Sequence, residues 1–198
     1  MSTMANPITA DSLMTLEAYA KARKDIKAQI IPHRRLRSVT LGEHITVQFE
    51  DEKTIRYQIQ EMLRIEKTFE EAGIQDELDA YNPLLPDGAN FKATMLIEYD
   101  DVEERRHALA RLKGIERRVW IEVEGEPKVF AIADEDLDRE TAEKTSAVHF
   151  LRFELTPAMV GALKRGSALG MGIDHPEYQA RIPSVPEQTR AALIADLA

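Results

Sequence analysis

An α+β fold, a mainly antiparallel sheet packed by N-terminal, central and C-terminal helices, is what this chain predicts, and three observations predict it. Runs in which apolar residues alternate with period two crowd the middle of the chain. Runs with helical spacing lie mainly towards its ends. No internal repeat, low-complexity tract or long linker divides its 198 residues. With 43% hydrophobic residues there is enough apolar material to fill one core. Residues 1–198 are therefore expected to form one domain, with residues 1–10 flexible.

The elements follow in order. A first helix is expected over about residues 11–30, with Leu13, Leu16, Ala20 and Ile30 among its apolar positions. It should end before Pro32, because proline disfavours the helical conformation in the residue ahead of it. In SVTLGEHITVQFE, the residues Val39, Leu41, Ile45, Val47 and Phe49 all fall on odd numbers, the period of a strand. A two-residue loop would put Val47 on the wrong face. A three-residue loop over 42–44 pairs Leu41 with Ile45, keeps all five together and leaves His44 at the tip. The next helix is expected from about Glu52 to Ala72, with Gly73 as its C-cap. At about 100° per residue, Glu66 falls inside the stripe of Ile55, Ile59, Met62, Leu63 and Phe69, and so should be buried. Tyr57, Glu61 and Arg64 fall on the far side. A short helix around QDELDAYN should end before Pro83, and PLLPDG reads as a loop.

Further on, KATMLIEY reads as a strand, and Asp100 with Glu103 as a capping box opening the helix VEERRHALARLK, closed by Gly114. RRVWIEVE and PKVFAIA read as a hairpin across EGEP, and SAVHFLRFEL as another strand. Thr156-Pro157 supplies an N-cap and a first-turn proline for a short helix to about Arg165. SALGMGID is expected as a last strand, HPEYQARIPSVP as loop or edge, and PEQTRAALIADL as a terminal helix.

The composition removes whole classes of chemistry. The chain has no cysteine, which excludes disulfides, thiolate zinc and iron–sulfur ligation, and a cysteine nucleophile. GSALGMG lacks the lysine of a phosphate loop and the third glycine of a dinucleotide fingerprint, and there is no G-x-S-x-G or H-E-x-x-H. One E-x-x-H, Glu104 to His107, is present, whereas di-iron bundles use two; both residues fall on the polar face of their helix. No run approaches the roughly 20 apolar residues of a bilayer span, and the first twenty residues lack a secretory pattern. A soluble, cytoplasmic protein without a membrane partner is the expectation. No cofactor or oligomeric state follows from the sequence.

Charge is unevenly spread. The whole chain carries −9, yet residues 21–37 hold Lys21, Arg23, Lys24, Lys27, Arg34, Arg35 and Arg37 against Asp25 alone. The acidic bulk argues against nucleic acid as a partner. Arg34, Arg35 and Arg37 become candidates for docking an anion or an acidic partner.

The candidate polar site consists of Glu66, Arg152, His149 and His175. A carboxylate in an apolar stripe needs a partner, since a bare buried charge costs several kcal/mol. Arg34, Arg35, Arg37 and Arg152 are the available arginines. His149 alternates in phase with Ala147, Leu151, Phe153 and Leu155 on the more apolar face of its strand, and His175 stands at a strand end before a proline. Two readings of the histidines stay open. Either they make local hydrogen bonds, His149 to a backbone carbonyl and His175 as a turn cap, or they join Glu66 in a two-histidine, one-carboxylate metal set.

The segments HRRLRSVTLGEHITVQFEDEKTIRYQIQEMLRIE, ELDAYNPLLP, ATMLIEY, SAVHFLRFEL and GIDHPEY together resemble an uncharacterised bacterial family, a domain of unknown function, over nearly the whole chain. Members of that family are often encoded beside rubrerythrin-like peroxide-scavenging proteins and iron–sulfur oxidoreductases. The resemblance implies a place in a rubrerythrin-linked redox or oxidative-stress system, and the lack of a recognisable catalytic constellation points to a non-enzymatic accessory protein or binding partner there, with a redox protein as its partner. It transfers no active-site residue. The alternative is a small-molecule or metal-dependent enzyme whose site gathers Glu66, an arginine, His149 and His175.

Overall fold

A computed structural model of the chain describes residues 7–133 and 144–198. The helices are α1 (Leu16–Leu36), α2 (Glu52–Glu66), α3 (Glu71–Tyr81), α4 (Val102–Arg111), α5 (Pro157–Lys164) and α6 (Glu187–Ile194). The strands are β1 (Ser38–Leu41), β2 (Ile45–Phe49), β3 (Asn90–Ile97), β4 (Val119–Val123), β5 (Val129–Phe130), β6 (Ile132–Ala133), β7 (Val148–Glu154), β8 (Leu169–His175) and β9 (Tyr178–Ile182). They form two antiparallel sheets, ordered β1-β2-β3-β7-β6 and β5-β4-β8-β9. The fold is thus α+β, with the single expected sheet divided into two.

The period-two patterns explain the core between the sheets. Val39, Leu41, Ile45, Val47 and Phe49 all point inward, and Leu41 pairs with Ile45 as the three-residue loop requires. From the facing sheet, Val119, Ile121, Val123, Leu169, Met171 and Ile173 complete the interior. The sheets meet along both edges. On one side the chain leaves the second sheet after β5 and enters the first at β6, with the Ala131 N–H donating to the Val119 carbonyl at 2.8 Å. The expected EGEP hairpin is present, but its second arm serves two sheets. On the other side the Tyr178 hydroxyl donates to the Leu41 carbonyl at 2.6 Å and accepts from the His44 N–H at 3.2 Å. Gly42, at φ +72°, allows this seam, because a Cβ there would lie 2.4 Å from the Tyr178 oxygen.

Helices α2 and α3, with Ile8 and Leu85 from the flanking segments, build a second, smaller apolar cluster of Ile8, Ile55, Ile59, Leu63, Leu78 and Leu85, against which Leu16 of α1 packs. The remaining helices add Ala108, Leu109, Met159, Ala162, Leu163 and Leu193 to the main core. Thr156 caps α5 through the Met159 N–H, as its Thr-Pro signature indicates.

Several expectations are corrected. Ile8, in the segment expected to be flexible, joins the second apolar cluster. Ile8 is buried, and its backbone exchanges hydrogen bonds of 2.9 and 3.0 Å with the Asn82 side chain. Helix α1 starts later and runs through Pro32 to Leu36. The proline removes the bond to the Ala28 carbonyl, but both residues lie on the exposed face, where solvent can satisfy that carbonyl. Helix α2 stops at Glu66, where Lys67 takes a left-handed conformation (φ 54°), and Gly73 falls inside α3 instead of capping α2. Asp101, one residue beyond the expected Asp100, caps α4 by accepting from the Glu104 N–H. The segment 178–182, loop or edge by sequence, is edge strand β9.

Candidate functional site

The residues singled out by sequence do not assemble into one site. Glu66 is exposed at the last turn of α2. The apolar stripe of this helix ends at Leu63, and Phe69, expected to extend it, is 74% exposed. A wheel gives angle and says nothing of axial position, so Glu66 points the right way beyond the end of the layer it would have packed on.

The paired carboxylate of α2 is instead Glu61. It projects towards α1, where the Arg23 guanidinium donates twice, at 2.7 and 2.9 Å, and the buried Tyr19 hydroxyl once, at 2.7 Å. Arg64 adds a contact at 3.3 Å. The Arg23 hydrogen bonds outweigh partial burial and, with Tyr19 and Arg64, hold the Glu61 carboxyl down at about 2. Burial and the Glu61 contact push the Tyr19 phenol up.

Both histidines make local hydrogen bonds. His149 is 1% exposed on the inward face of β7, its Nε2 lying 3.1 Å from the Ser146 carbonyl and 2.9 Å from the Thr145 hydroxyl. A carbonyl can only accept, so Nε2 carries the proton. His175 Nδ1 accepts from the Glu177 N–H at 3.2 Å, which leaves Nε2–H to donate to the Lys113 carbonyl at 3.0 Å. The two rings belong to different sheets, and Glu66 stands off at the exposed end of α2. Among the described residues no group of three His, Asp or Glu side chains is arranged to hold a metal ion. Arg152 lies on the outer face of β7 and pairs with Glu154.

The three docking candidates also part company. Arg37 is 2% exposed and cannot meet a partner. Its guanidinium binds the Asp196 carboxylate and donates to the Ala192 carbonyl at 3.1 Å and the Phe49 carbonyl at 3.4 Å, tying α6 to the hairpin. Asp51, 3.5 Å away, is held in turn by His33 at 2.6 Å. Only Arg35 is fully exposed; Arg34 is half-buried.

Arg34 leads to a site that the sequence did not single out. Between the outer face of the first sheet and the helices α1 to α3 lies a cleft of about 370 Å3. The sheet lines it with Gln48, Thr94, Leu96, Val148 and Phe150, Glu50 follows directly after β2, and the helical side contributes residues that include Arg34, Gln58 and Tyr81. Glu50 is 7% exposed and accepts from the Thr54 hydroxyl at 2.5 Å and the Thr94 hydroxyl at 2.7 Å. Gln48 accepts from Ser38 at 2.7 Å and donates to the Phe49 carbonyl at 3.2 Å. A signal existed: Gln48 and Glu50 share the outward parity of β2. Outward parity on a hairpin strand reads as solvated, and only the return of α2 over the sheet encloses it.

Fold and site together define an α+β protein of two antiparallel sheets, with a helical layer enclosing a cleft lined by Glu50 and Arg34. The chain belongs to the family described as a protein of unknown function, DUF3501, whose model matches residues 7–197. It is similar to a crystal structure of a novel protein of unknown function from Burkholderia pseudomallei K96243. The two are 57% identical with a TM-score of 0.93, over 98% of this chain and 100% of that one. No curated protein matches it.

Proposed function

We propose that this protein is a non-enzymatic binding partner in a rubrerythrin-linked redox system, docking an acidic protein through the outer face of α1. The observation that carries the docking is the row Lys24, Lys27, Ile31 and Arg35. These residues recur at helical spacing, all are exposed, and Ile31 is half exposed amid the cations. Asp25 is the one acid within the span. On a chain of net charge −9, such a row confines an acidic partner to one face, because the rest of the surface repels it. The assignment to a rubrerythrin-linked system rests on the family resemblance and its gene neighbours.

Binding of the purified protein to a purified rubrerythrin-like protein tests the proposal. Binding should weaken steeply with salt and disappear when Lys24, Lys27 and Arg35 are all changed to glutamate, with the circular dichroism spectrum unchanged. Absent or salt-insensitive binding would remove the proposal. Arg37 is left untouched, since reversing it would break the fold instead of the surface.

A further inference from the structure

We infer that the cleft beneath the helical layer binds a free amino acid with an apolar side chain. Glu50 and Arg34 line the same cleft, and among the described residues neither has an ion-pair partner. Glu50 is held in place by the Thr54 and Thr94 hydroxyls, one on each carboxylate oxygen. Each oxygen keeps a second lone-pair site for a donor. Arg34 lines the cleft and is only half-buried, and a guanidinium carries the planar fork of donors that suits a carboxylate. Leu96, Val148 and Phe150 line the same cleft with apolar side chains.

A buried carboxylate and a half-buried guanidinium that do not satisfy each other cost desolvation that a ligand can relieve. A simple carboxylic acid would answer Arg34 and leave Glu50 alone. A simple amine would do the reverse. A zwitterion answers both at once, its ammonium on Glu50 and its carboxylate on Arg34, with an apolar side chain against Phe150 and Val148. The volume lies at the lower end of small-molecule sites, roughly 300 to 1,000 Å3, which favours a single amino acid over a peptide. This site is separate from the outer face of α1, so either proposal can fail without the other.

Calorimetric titration of the full chain with L-leucine and with L-phenylalanine tests the inference. Saturable binding of at least one is expected, with a Kd of about 1 mM or tighter. Isocaproate, which lacks the ammonium, and isoamylamine, which lacks the carboxylate, should bind leucine's site at least about tenfold more weakly. Arg34→Ala and Glu50→Gln should each weaken amino-acid binding by about tenfold or more. Arg34→Ala carries the decision if Glu50→Gln fails to fold, because among the described residues the Arg34 guanidinium has no hydrogen-bond or ion-pair partner. Failure of both amino acids to bind, equal binding of either analogue, or amino-acid binding unchanged in Arg34→Ala would overturn the inference.

Discussion

The space between the two sheets and the layer formed by α1, α2 and α3 are held together by different forces. Between the sheets the contacts are almost wholly apolar, and His149 enters only with its Nε2 proton already committed to a backbone carbonyl. In the helical layer a cluster of six buried apolar side chains is joined by directional polar contacts. These are Glu61 with Arg23 and Tyr19, Gln60 with the Met14 backbone at 2.8 and 3.3 Å, and Asn82 with the Ile8 backbone. Burial of apolar area is indifferent to pH and salt, whereas charge-assisted hydrogen bonds are not. The sheet core should therefore set how stable the protein is, and the helical layer how that stability responds to conditions.

The largest effect should come from the sheet core. Phe153 is fully buried and packs near Phe49, so Phe153→Ala should cost about 3 to 5 kcal/mol in chemical denaturation. We propose that residues 1–198 unfold as one domain. Trp120 fluorescence, reporting the second sheet, and far-ultraviolet circular dichroism, dominated by the helices, should then give coincident transitions. A helical signal that outlasts the Trp120 signal would divide the chain into two units.

In the helical layer, Glu61→Ala should cost about 2 kcal/mol, a figure lowered for the part-exposed Arg23 and Arg64. Glu66→Ala, exposed at the end of the same helix, should stay within about 0.5 kcal/mol. The pH dependence has a definite sign. The folded Glu61 carboxyl is held at about 2, below its ordinary 4.5, so its contribution is complete above 4.5 and is lost as pH falls towards 2. Denaturation midpoints between pH 6 and 2, as rough bounds on that window, should fall less steeply in Glu61→Ala than in the wild type. Parallel curves would show that Glu61 is not what makes the layer acid-sensitive.

The smallest effect belongs to the seam between the sheets. Tyr178→Phe removes the hydroxyl that bridges Leu41 and His44 and should cost about 1 kcal/mol by thermal or chemical denaturation. A cost as large as that of Phe153→Ala would mean that the edge, and not the interior, holds the sheets together.

The same contrast governs what could be read in advance. The hairpin register, Leu41 opposite Ile45, followed from parity alone, because a one-residue slip would turn every apolar side chain outward. The Thr156-Pro157 start of α5 was equally legible, since a cap and a first-turn proline act within one turn of chain. The inward direction of His149 came from the same alternation. Glu66 was misread and Glu61 overlooked for one reason. The burial of a helical residue depends on which neighbour lies beside that turn, and α2 meets α3 on one flank and α1 on the other. Sequence groups Arg37 with Arg34 and Arg35, both as docking cations and as partners for Glu66, because nothing in HRRLR distinguishes it from them. Their fates separate only when α6 returns to deliver Asp196 and the Ala192 carbonyl.

What the sequence determined by itself is whatever local geometry dictates: the alternation of faces along each strand, the N-terminal starts of α2, α4 and α5 to within a residue, and the absence of thiol chemistry. What only the tertiary structure decided is where those faces meet: the division into two sheets at Ala131, the continuation of α1 past Pro32, and the enclosure of Glu50 and Arg34 in one cleft. Backbone conformation and side-chain parity are set by neighbours a few residues away. Burial and charge pairing are set by segments that arrive from up to 159 residues distant, as Asp196 does at Arg37.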